Sequence, residues 1–112
     1  MTRRIRLTMP ARAQLADILE WTVETFGTRQ AERYQTAILG RIKKAADGLI
    51  TGRPCKLLDD DPHLADLVFL RAGEHFVIYR LTDNVLGVIA IIHSRSDVPS
   101  HIAAALTNMK DD

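Results

Sequence analysis

Cysteine, long apolar runs and net charge are all scarce in this sequence. Cys55 is the one cysteine among the 112 residues, which excludes an internal disulfide and a cysteine-based metal cluster. No apolar run approaches the roughly 18 residues that a membrane-spanning helix needs. No apolar signal core follows the basic residues 1–5. From the length we expect one domain, residues 1–112. From the missing apolar segments we expect a cytoplasmic protein with no membrane contact.

The net charge of +1 is too small to indicate non-specific binding to nucleic acid. The charges are unevenly distributed, however. Residues 1–50 hold nine Arg and Lys against five Asp and Glu, whereas residues 51–112 hold six against nine. This asymmetry is consistent with a basic face that docks an acidic partner, and equally with two solvated helix faces.

Hydrophobic periodicity predicts a strand and two helices in the first half of the chain. Residues 3–9 alternate between apolar and polar side chains, which is typical of a half-buried strand. Pro10 suits the first turn of a helix, Gly27 suits its end with a positive φ, and Thr28 is the predicted N-cap of a second helix. A connection this short predicts an antiparallel helical hairpin. The predicted inner faces are Ala11, Leu15, Ile18, Leu19, Thr22 and Phe26 in the first helix, and Ala31, Tyr34, Ile38, Ile42, Ala45 and Leu49 in the second.

The second half of the chain predicts three strands. They span 67–71, 75–81 and 85–93, after breaks at 52–54 and 59–62 and with a turn at 82–84. Residues 100–109 could add a C-terminal helix. The predicted fold is therefore α+β, in the order β-α-α-β-β-β, with an antiparallel-type sheet packed on the helical hairpin.

The last two strands form a predicted hairpin that is apolar on both sides. A two-residue loop would pair Arg80 with Gly87, Ile78 with Ile89, Phe76 with Ile91 and Glu74 with His93. One helical hairpin covers only one face of a small sheet, so the C-terminal segment, a second copy or a partner must cover the other. The predicted partner contacts are Trp21, Tyr34, Phe76, Ile78, Tyr79, Ile89 and Ile91.

The sequence carries no pattern that predicts a cofactor or a metal ion. His63, His75 and His101 have no metal-ligand spacing with one another or with Cys55. His75 is predicted to be a hydrogen-bonded core histidine, and the acidic residues 59–61 a solvated loop. A glycine-rich phosphate loop and a Ser-His-Asp pattern are both absent from the sequence.

Several spaced positions, taken together and in order, resemble the ParE/RelE superfamily of bacterial toxins, which includes plasmid-stabilisation proteins. The positions are Ala11-x-x-Gln14-Leu15-x-x-Ile18-x-x-Trp21, Phe26-Gly27, Ala31-x-x-Tyr34 with Ile38 and Ile42, Gly52-Arg53, Arg71-x-x-x-His75-Phe76-Val77-Ile78-Tyr79-Arg80, and Ile91-Ile92-His93-x-Arg95-x-Asp97-x-x-x-His101. The ParE branch fits best. Two positions depart from the family pattern: Gln14, on the predicted surface, replaces a common Asp, and Ala90 or its neighbour replaces a common Arg.

The resemblance implies the toxin of a type II toxin–antitoxin system. In the ParE branch, a ParD-like antitoxin wraps the toxin with its C-terminal segment, which predicts a hetero-oligomer, and the free toxin inhibits DNA gyrase. No sequence-specific contact with nucleic acid is implied, and no catalytic residue is expected in this branch. A non-toxic relative that only binds an antitoxin is a further alternative.

The RelE branch, which cleaves mRNA on the ribosome, is the alternative function. Such chemistry needs a base, an acid and cations around a phosphate. The candidates are Glu74, Arg71, His93 and Arg95, with Lys56 and Arg80 considered as additional cations. Arg80 is predicted to lie roughly 20 Å from His93 along the hairpin, too far to share its phosphate. The lysine-rich cluster and the tyrosine of RelE-like nucleases are missing, and Ser94 stands where an aromatic residue would be wanted.

Overall fold

The computed structural model describes residues 2–58, 62–97 and 100, and all but the side chain of His63 among them. The elements are β1 (Arg4–Leu7), α1 (Met9–Phe26), α2 (Thr28–Ala46), β2 (Arg53–Pro54), two 3₁₀ turns (Cys55–Leu57 and Pro62–Leu64), β3 (Val68–Ala72), β4 (His75–Leu81) and β5 (Val85–His93). The predicted acidic loop at 59–61, the predicted C-terminal helix beyond residue 100 and His101 lie outside the described residues.

The two long helices form the expected hairpin. Thr8 caps α1 by accepting a hydrogen bond from the Ala11 amide at 3.2 Å, and Pro10 lies in the first turn. Gly27 ends α1 with φ of 93°, as predicted, because its missing side chain permits that conformation. The prediction that Thr28 is the N-cap of α2 is wrong by one residue. Gly27 is itself that N-cap, since one residue joins the two helices and Thr28 already belongs to α2.

The inner face of α2 is confirmed more fully than that of α1. Its buried residues are Ala31, Ile38, Ile42, Ala45 and Ala46. Leu49 is exposed because α2 ends at Ala46, so helical spacing no longer applies to it. In α1, Leu15 and Ile18 pack against the core, but Phe26 is exposed.

The sheet has the strand order β1-β5-β4-β3-β2 and is mixed. The α+β fold is confirmed, and the later strands pair antiparallel as predicted. β1 instead runs parallel to β5, because the helical hairpin carries the chain back across the sheet. The predicted break at residues 52–54 contains the two-residue edge strand β2.

A bulge in β5 shifts the predicted register of the hairpin. Arg80 pairs with Gly87, as predicted, but Tyr79 pairs with Val88 and Ile78 with Ala90, which leaves Ile89 without a partner. An extra residue moves every later pair by one position. The predicted pairs Ile78–Ile89, Phe76–Ile91 and Glu74–His93 are therefore wrong, and the observed pairs are Ile78–Ala90, Phe76–Ile92 and His75–His93.

Helix α1 and its N-cap residue form hydrogen bonds with the backbone around the bulge. The Thr8 hydroxyl donates to the Ile89 carbonyl at 3.0 Å, and the Gln14 side-chain oxygen accepts from the Ile91 amide at 2.7 Å. Buried backbone groups need such partners where the strand ladder is interrupted. The expectation that Gln14 is a surface residue is therefore wrong, since its side chain joins α1 to the sheet.

Both faces of the sheet carry a hydrophobic core. The core on the helical side contains Ala11, Ile38, Ile42, Ala45, Ala46, Leu70, Ala72, Val77, Tyr79, Leu86, Val88 and Ile91. The core on the opposite side contains Cys55, Leu64, Leu67, Phe69, Ile78, Ile89, Ala90 and Ile92. Cys55, Leu64 and Leu67 come from the segment between β2 and β3. This segment helps to cover the second face and was not among the predicted covers of that face.

Candidate functional site

An apolar groove lies where the C-terminal half of α1 and the start of α2 meet the end of the β4–β5 ladder. It encloses about 600 Å³ and is lined by Asp17, Ile18, Trp21, Thr22, Phe26, Gln30, Tyr34, Glu74, His75 and His93. Three separate parts of the chain contribute to it, so the groove exists only in the folded protein.

Trp21 and Phe26 form the most exposed apolar part of the groove. Their rings meet edge to face with centroids 5.8 Å apart, and their exposed fractions are 58% and 63%. Burial of a large aromatic side chain on binding is favourable, and Trp is enriched among the residues that contribute most to binding energy. These two rings therefore provide a ready anchor for a partner.

The Tyr34 hydroxyl connects α2 to the turn between β3 and β4. It accepts a hydrogen bond from the Glu74 amide at 3.0 Å, donates to the Ala72 carbonyl at 3.1 Å and lies 2.6 Å from His75 Nδ1. A hydroxyl has one proton, and donating it to Ala72 leaves His75 Nδ1–H to donate to the tyrosine oxygen. All three contacts are satisfied when neutral His75 carries its proton on Nδ1, so its Nε2 is an acceptor.

His75 and His93 lie side by side at this end of the sheet, with ring centroids 5.3 Å apart. Burial of its ring, reinforced by nearby His93, lowers the pKa of His75 below its usual value. His75 is hydrogen-bonded to Tyr34, as predicted, but the prediction that it is a core histidine is wrong, since it is half-buried and lines the groove. His93 is exposed, and its Nδ1 accepts from the Arg95 amide at 3.1 Å.

Glu74, Arg71, His93 and Arg95, which were considered for nuclease chemistry, lie at or near the groove, whereas Arg80 does not. Glu74 lies 3.7 Å from the guanidinium of Arg71 and does not oppose His93, because of the bulge. Both Arg71 and Arg95 are exposed near the groove. Arg80 lies elsewhere and makes a 2.9 Å ion pair with Asp66. The structure thus brings two histidines and one ion pair together without placing Arg80 beside them.

The predicted partner contacts divide into accessible and buried residues. Trp21 and Tyr34 line the groove. Phe76 is half-buried and packs against Phe69, whereas Ile78, Tyr79, Ile89 and Ile91 are buried in the two cores. A role of these residues in partner binding stays a prediction. Phe26 was not predicted as a groove residue. Its place immediately before Gly27 was the available signal, because side chains at a helix end are often incompletely covered.

The described residues give little support for a metal site, a reactive thiol or a membrane-spanning helix. None of their His, Cys, Asp and Glu side chains form a group of three or more that could hold a metal ion. Burial raises the pKa of the Cys55 thiol to about 11, which disfavours the nucleophilic thiolate. Within the described parts of the chain, neither helix has the combination of length and apolar character needed to cross a membrane.

Comparison with known proteins identifies the family. Residues 5–98 match the family model described as the ParE toxin of the type II toxin–antitoxin system parDE. Toxin ParE1 of two Mycobacterium tuberculosis strains, CDC 1551 / Oshkosh and ATCC 25618 / H37Rv, is 31% identical over 103 residues, which cover 91% of this chain and 100% of that protein. The chain belongs to the ParE toxin family.

Solved structures with the same fold include components of two toxin–antitoxin complexes. A chain of the chromosomal ParDE system of P. aeruginosa has a TM-score of 0.65 at 18% identity, covering 82% of this ParE chain and 96% of its own. A chain of the RelBE2 complex of Mycobacterium tuberculosis has a TM-score of 0.55 at 19% identity, covering 83% and 99%. At these identities the likeness supports the ParE/RelE fold.

Proposed function

We propose that this ParE-family toxin binds a ParD-like antitoxin in the apolar groove and, when free, inhibits DNA gyrase. The observation that carries the antitoxin proposal is that Trp21 and Phe26 are exposed in a groove that is also lined by Tyr34. The P. aeruginosa relative comes from a ParDE system, which supports the choice of partner.

The charges around the groove suggest what the antitoxin segment should contain. From Gln14 to Phe26, α1 carries the acidic residues Asp17, Glu20 and Glu24 and no basic residue. Glu74 adds an acidic side chain on the sheet side of the groove. We infer that the bound segment places apolar side chains against the aromatic pair and carries Arg or Lys beside them.

A binding titration with the purified antitoxin tests the groove. Trp21→Ala should weaken binding by about 2 kcal/mol or more, which corresponds to roughly 30-fold, because a central aromatic anchor is lost. Leu49→Ala is the matched control. Leu49 is also exposed and apolar, but it follows α2 at the other end of the helical hairpin. Equal losses of antitoxin affinity for the two variants would show that the groove is not the antitoxin site.

The proposed action on gyrase rests on family membership and on the position of Arg80, which lies away from the other nuclease candidates. Glu74 is near Arg71, and Arg80 is paired with Asp66 away from the histidines. Purified toxin should inhibit the supercoiling of relaxed plasmid by gyrase, and added antitoxin should restore it. Unimpaired supercoiling at a large molar excess of toxin would reject gyrase as the target.

A ribosome-dependent mRNA nuclease is the second candidate, favoured by the adjacent rings of His75 and His93. In that function the unprotonated Nε2 of His75 would serve as the base, beside the ring of His93. If this is the function, His93→Ala should abolish toxicity and mRNA cleavage. In the binding mechanism His93→Ala should leave toxicity in place. Cell growth and mRNA integrity after expression without antitoxin distinguish the two functions.

A further inference from the structure

A second surface lies at the opposite end of α1 from the apolar groove and is basic. It is a cradle of about 420 Å³ lined by Arg6, Leu7, Thr8, Arg12, Arg80, Thr82, Val85, Gly87 and Ile89. Residues 1–16 contain four arginines and no acidic residue, so the net charge of +1 for the whole chain hides a strongly positive end. Neither the family match nor the proposed function accounts for this surface.

The pairing of three strands builds the centre of the cradle. Gly87 of β5 lies between Arg6 of β1 and Arg80 of β4, as the partner of each. Neighbouring strands are about 4.8 Å apart, which places the two arginine backbones about 10 Å from each other. A Cβ on Gly87 would meet only the Arg80 carbonyl oxygen, at 4.0 Å, so close packing does not explain the glycine. Its effect is to leave bare backbone between the two arginine positions.

The arginines of the cradle differ in whether their charge is already compensated. Arg80 makes its 2.9 Å ion pair with Asp66. Arg6 and Arg12 are exposed and have no ion pair or side-chain hydrogen bond with any residue in the described part of the chain. Unpaired guanidinium groups that converge on one surface repel each other and favour a bound anion. Arginine in particular matches the oxygens of phosphate with its planar fork of donors.

The side chains of the cradle favour a nucleic-acid duplex over a protein partner. Its exposed side chains are Arg6, Arg12 and Thr82, which are all polar, whereas its apolar residues are half-buried or buried. Protein interfaces usually have apolar or aromatic residues at their centre, and duplex DNA interfaces are polar and positively charged. No aromatic residue lines the cradle, so unpaired bases of a single strand would find no stacking surface there.

We propose that Arg6 and Arg12 bind the phosphate backbone of double-stranded DNA. Arg80 contributes little to this binding while it is paired with Asp66. Contacts of this kind carry no sequence information. Along α1, Arg12 of the cradle and Trp21 of the groove are nine residues apart, which is about 13 Å along the helix axis. The proposal is independent of gyrase, because the cradle would bind DNA alone.

Fluorescence anisotropy of a labelled duplex of about 20 base pairs, titrated with the purified full chain, tests the proposal. We expect a dissociation constant of roughly 10⁻⁴ to 10⁻⁶ M that weakens with salt by about 0.9 log units per log unit of salt for each phosphate neutralised. Arg6→Ala should lower this salt slope by about 1, and Arg6→Ala combined with Arg12→Ala by about 2. Asp66→Asn should strengthen binding several-fold, because it frees Arg80 and removes a negative charge.

Arg33→Ala is the matched control, since it removes the same charge from an exposed position near the start of α2. An unchanged salt slope for this variant supports the cradle, and a loss equal to that of Arg6→Ala overturns it. Absence of binding, or tighter binding to single-stranded RNA or to polyglutamate than to the duplex, also overturns it. Circular dichroism establishes that each variant is folded. Because gyrase and antitoxin are absent, these outcomes are separate from those that test the proposed function.

Discussion

Replacing Gly73 with alanine tests the turn that holds Tyr34 beside the groove. Gly73 has φ of +59°, and an added Cβ would lie 2.5 Å from Tyr34 Cε1 and 2.7 Å from its hydroxyl oxygen. The left-handed conformation costs a residue with a Cβ about 1–2 kcal/mol. The smaller conformational freedom of the unfolded alanine chain returns about 0.4–1 kcal/mol. The backbone contribution is therefore about 1 kcal/mol.

The collision with Tyr34 adds a second cost. The ring must move, which disturbs the hydrogen bonds of its hydroxyl with the Glu74 amide and the Ala72 carbonyl and its contact with His75. Loss of two such interactions costs about 1–3 kcal/mol at about 0.5–1.5 kcal/mol each. We therefore expect Gly73→Ala to lower the free energy of unfolding by about 2–4 kcal/mol, measured by urea unfolding.

Gly48→Ala provides the control for the backbone contribution. Gly48 also has a positive φ, +78°, but no atom lies within 4 Å of the position of its added Cβ. Its substitution should cost only about 1 kcal/mol. If the two glycine variants lose the same stability, the contact between Gly73 and Tyr34 does not have the energetic role described here.

Three further predictions concern stability and reactivity. Because folding lowers the pKa of His75, the unfolded state takes up the proton first, and the free energy of unfolding should fall as pH drops through about 6.5. Urea unfolding from pH 8 to 5 measures this fall, and a His75→Asn variant that keeps the full pH dependence would contradict it. Since burial raises the pKa of Cys55 to about 11, a thiol reagent should label native protein far more slowly than urea-unfolded protein, and equal rates would refute the assignment. Thr8→Val removes the helix cap and the hydroxyl bond to the sheet and should cost about 1–2 kcal/mol in urea unfolding. Thr36→Val, within α2, should lower the free energy of unfolding much less. A larger loss for Thr36→Val than for Thr8→Val would exclude the capping role of Thr8.

The order of elements could be predicted because its signals are local. Gly27, Pro10 and the alternating strands each act on their own neighbours, and the pairing of Arg80 with Gly87 follows from the short turn beside it. The bulge at Ile89 could not be predicted, since its backbone is held by Thr8 and by α1, about 80 residues earlier in the chain.

The candidate sites depend on contacts that are distant in sequence. Trp21 and Tyr34 were predicted as partner contacts from their residue type, but the groove also needs His75 and His93, which became opposite partners only through the bulge. The basic cradle depends on the parallel pairing of β1 with β5, and no local pattern specifies that neighbour. Charge along the sequence indicated a basic half without indicating where its arginines converge.

The emission of Trp21 during titration with the antitoxin tests most directly whether the antitoxin binds in the apolar groove. Trp21 is the single tryptophan of the chain and 58% exposed, so it reports on the groove without a substitution. With a tryptophan-free ParD-like antitoxin, we expect a saturable blue shift of the emission and protection from acrylamide quenching, because the indole leaves water. Saturated binding, verified by calorimetry, with unchanged emission and quenching would contradict the assignment of the groove as the antitoxin site.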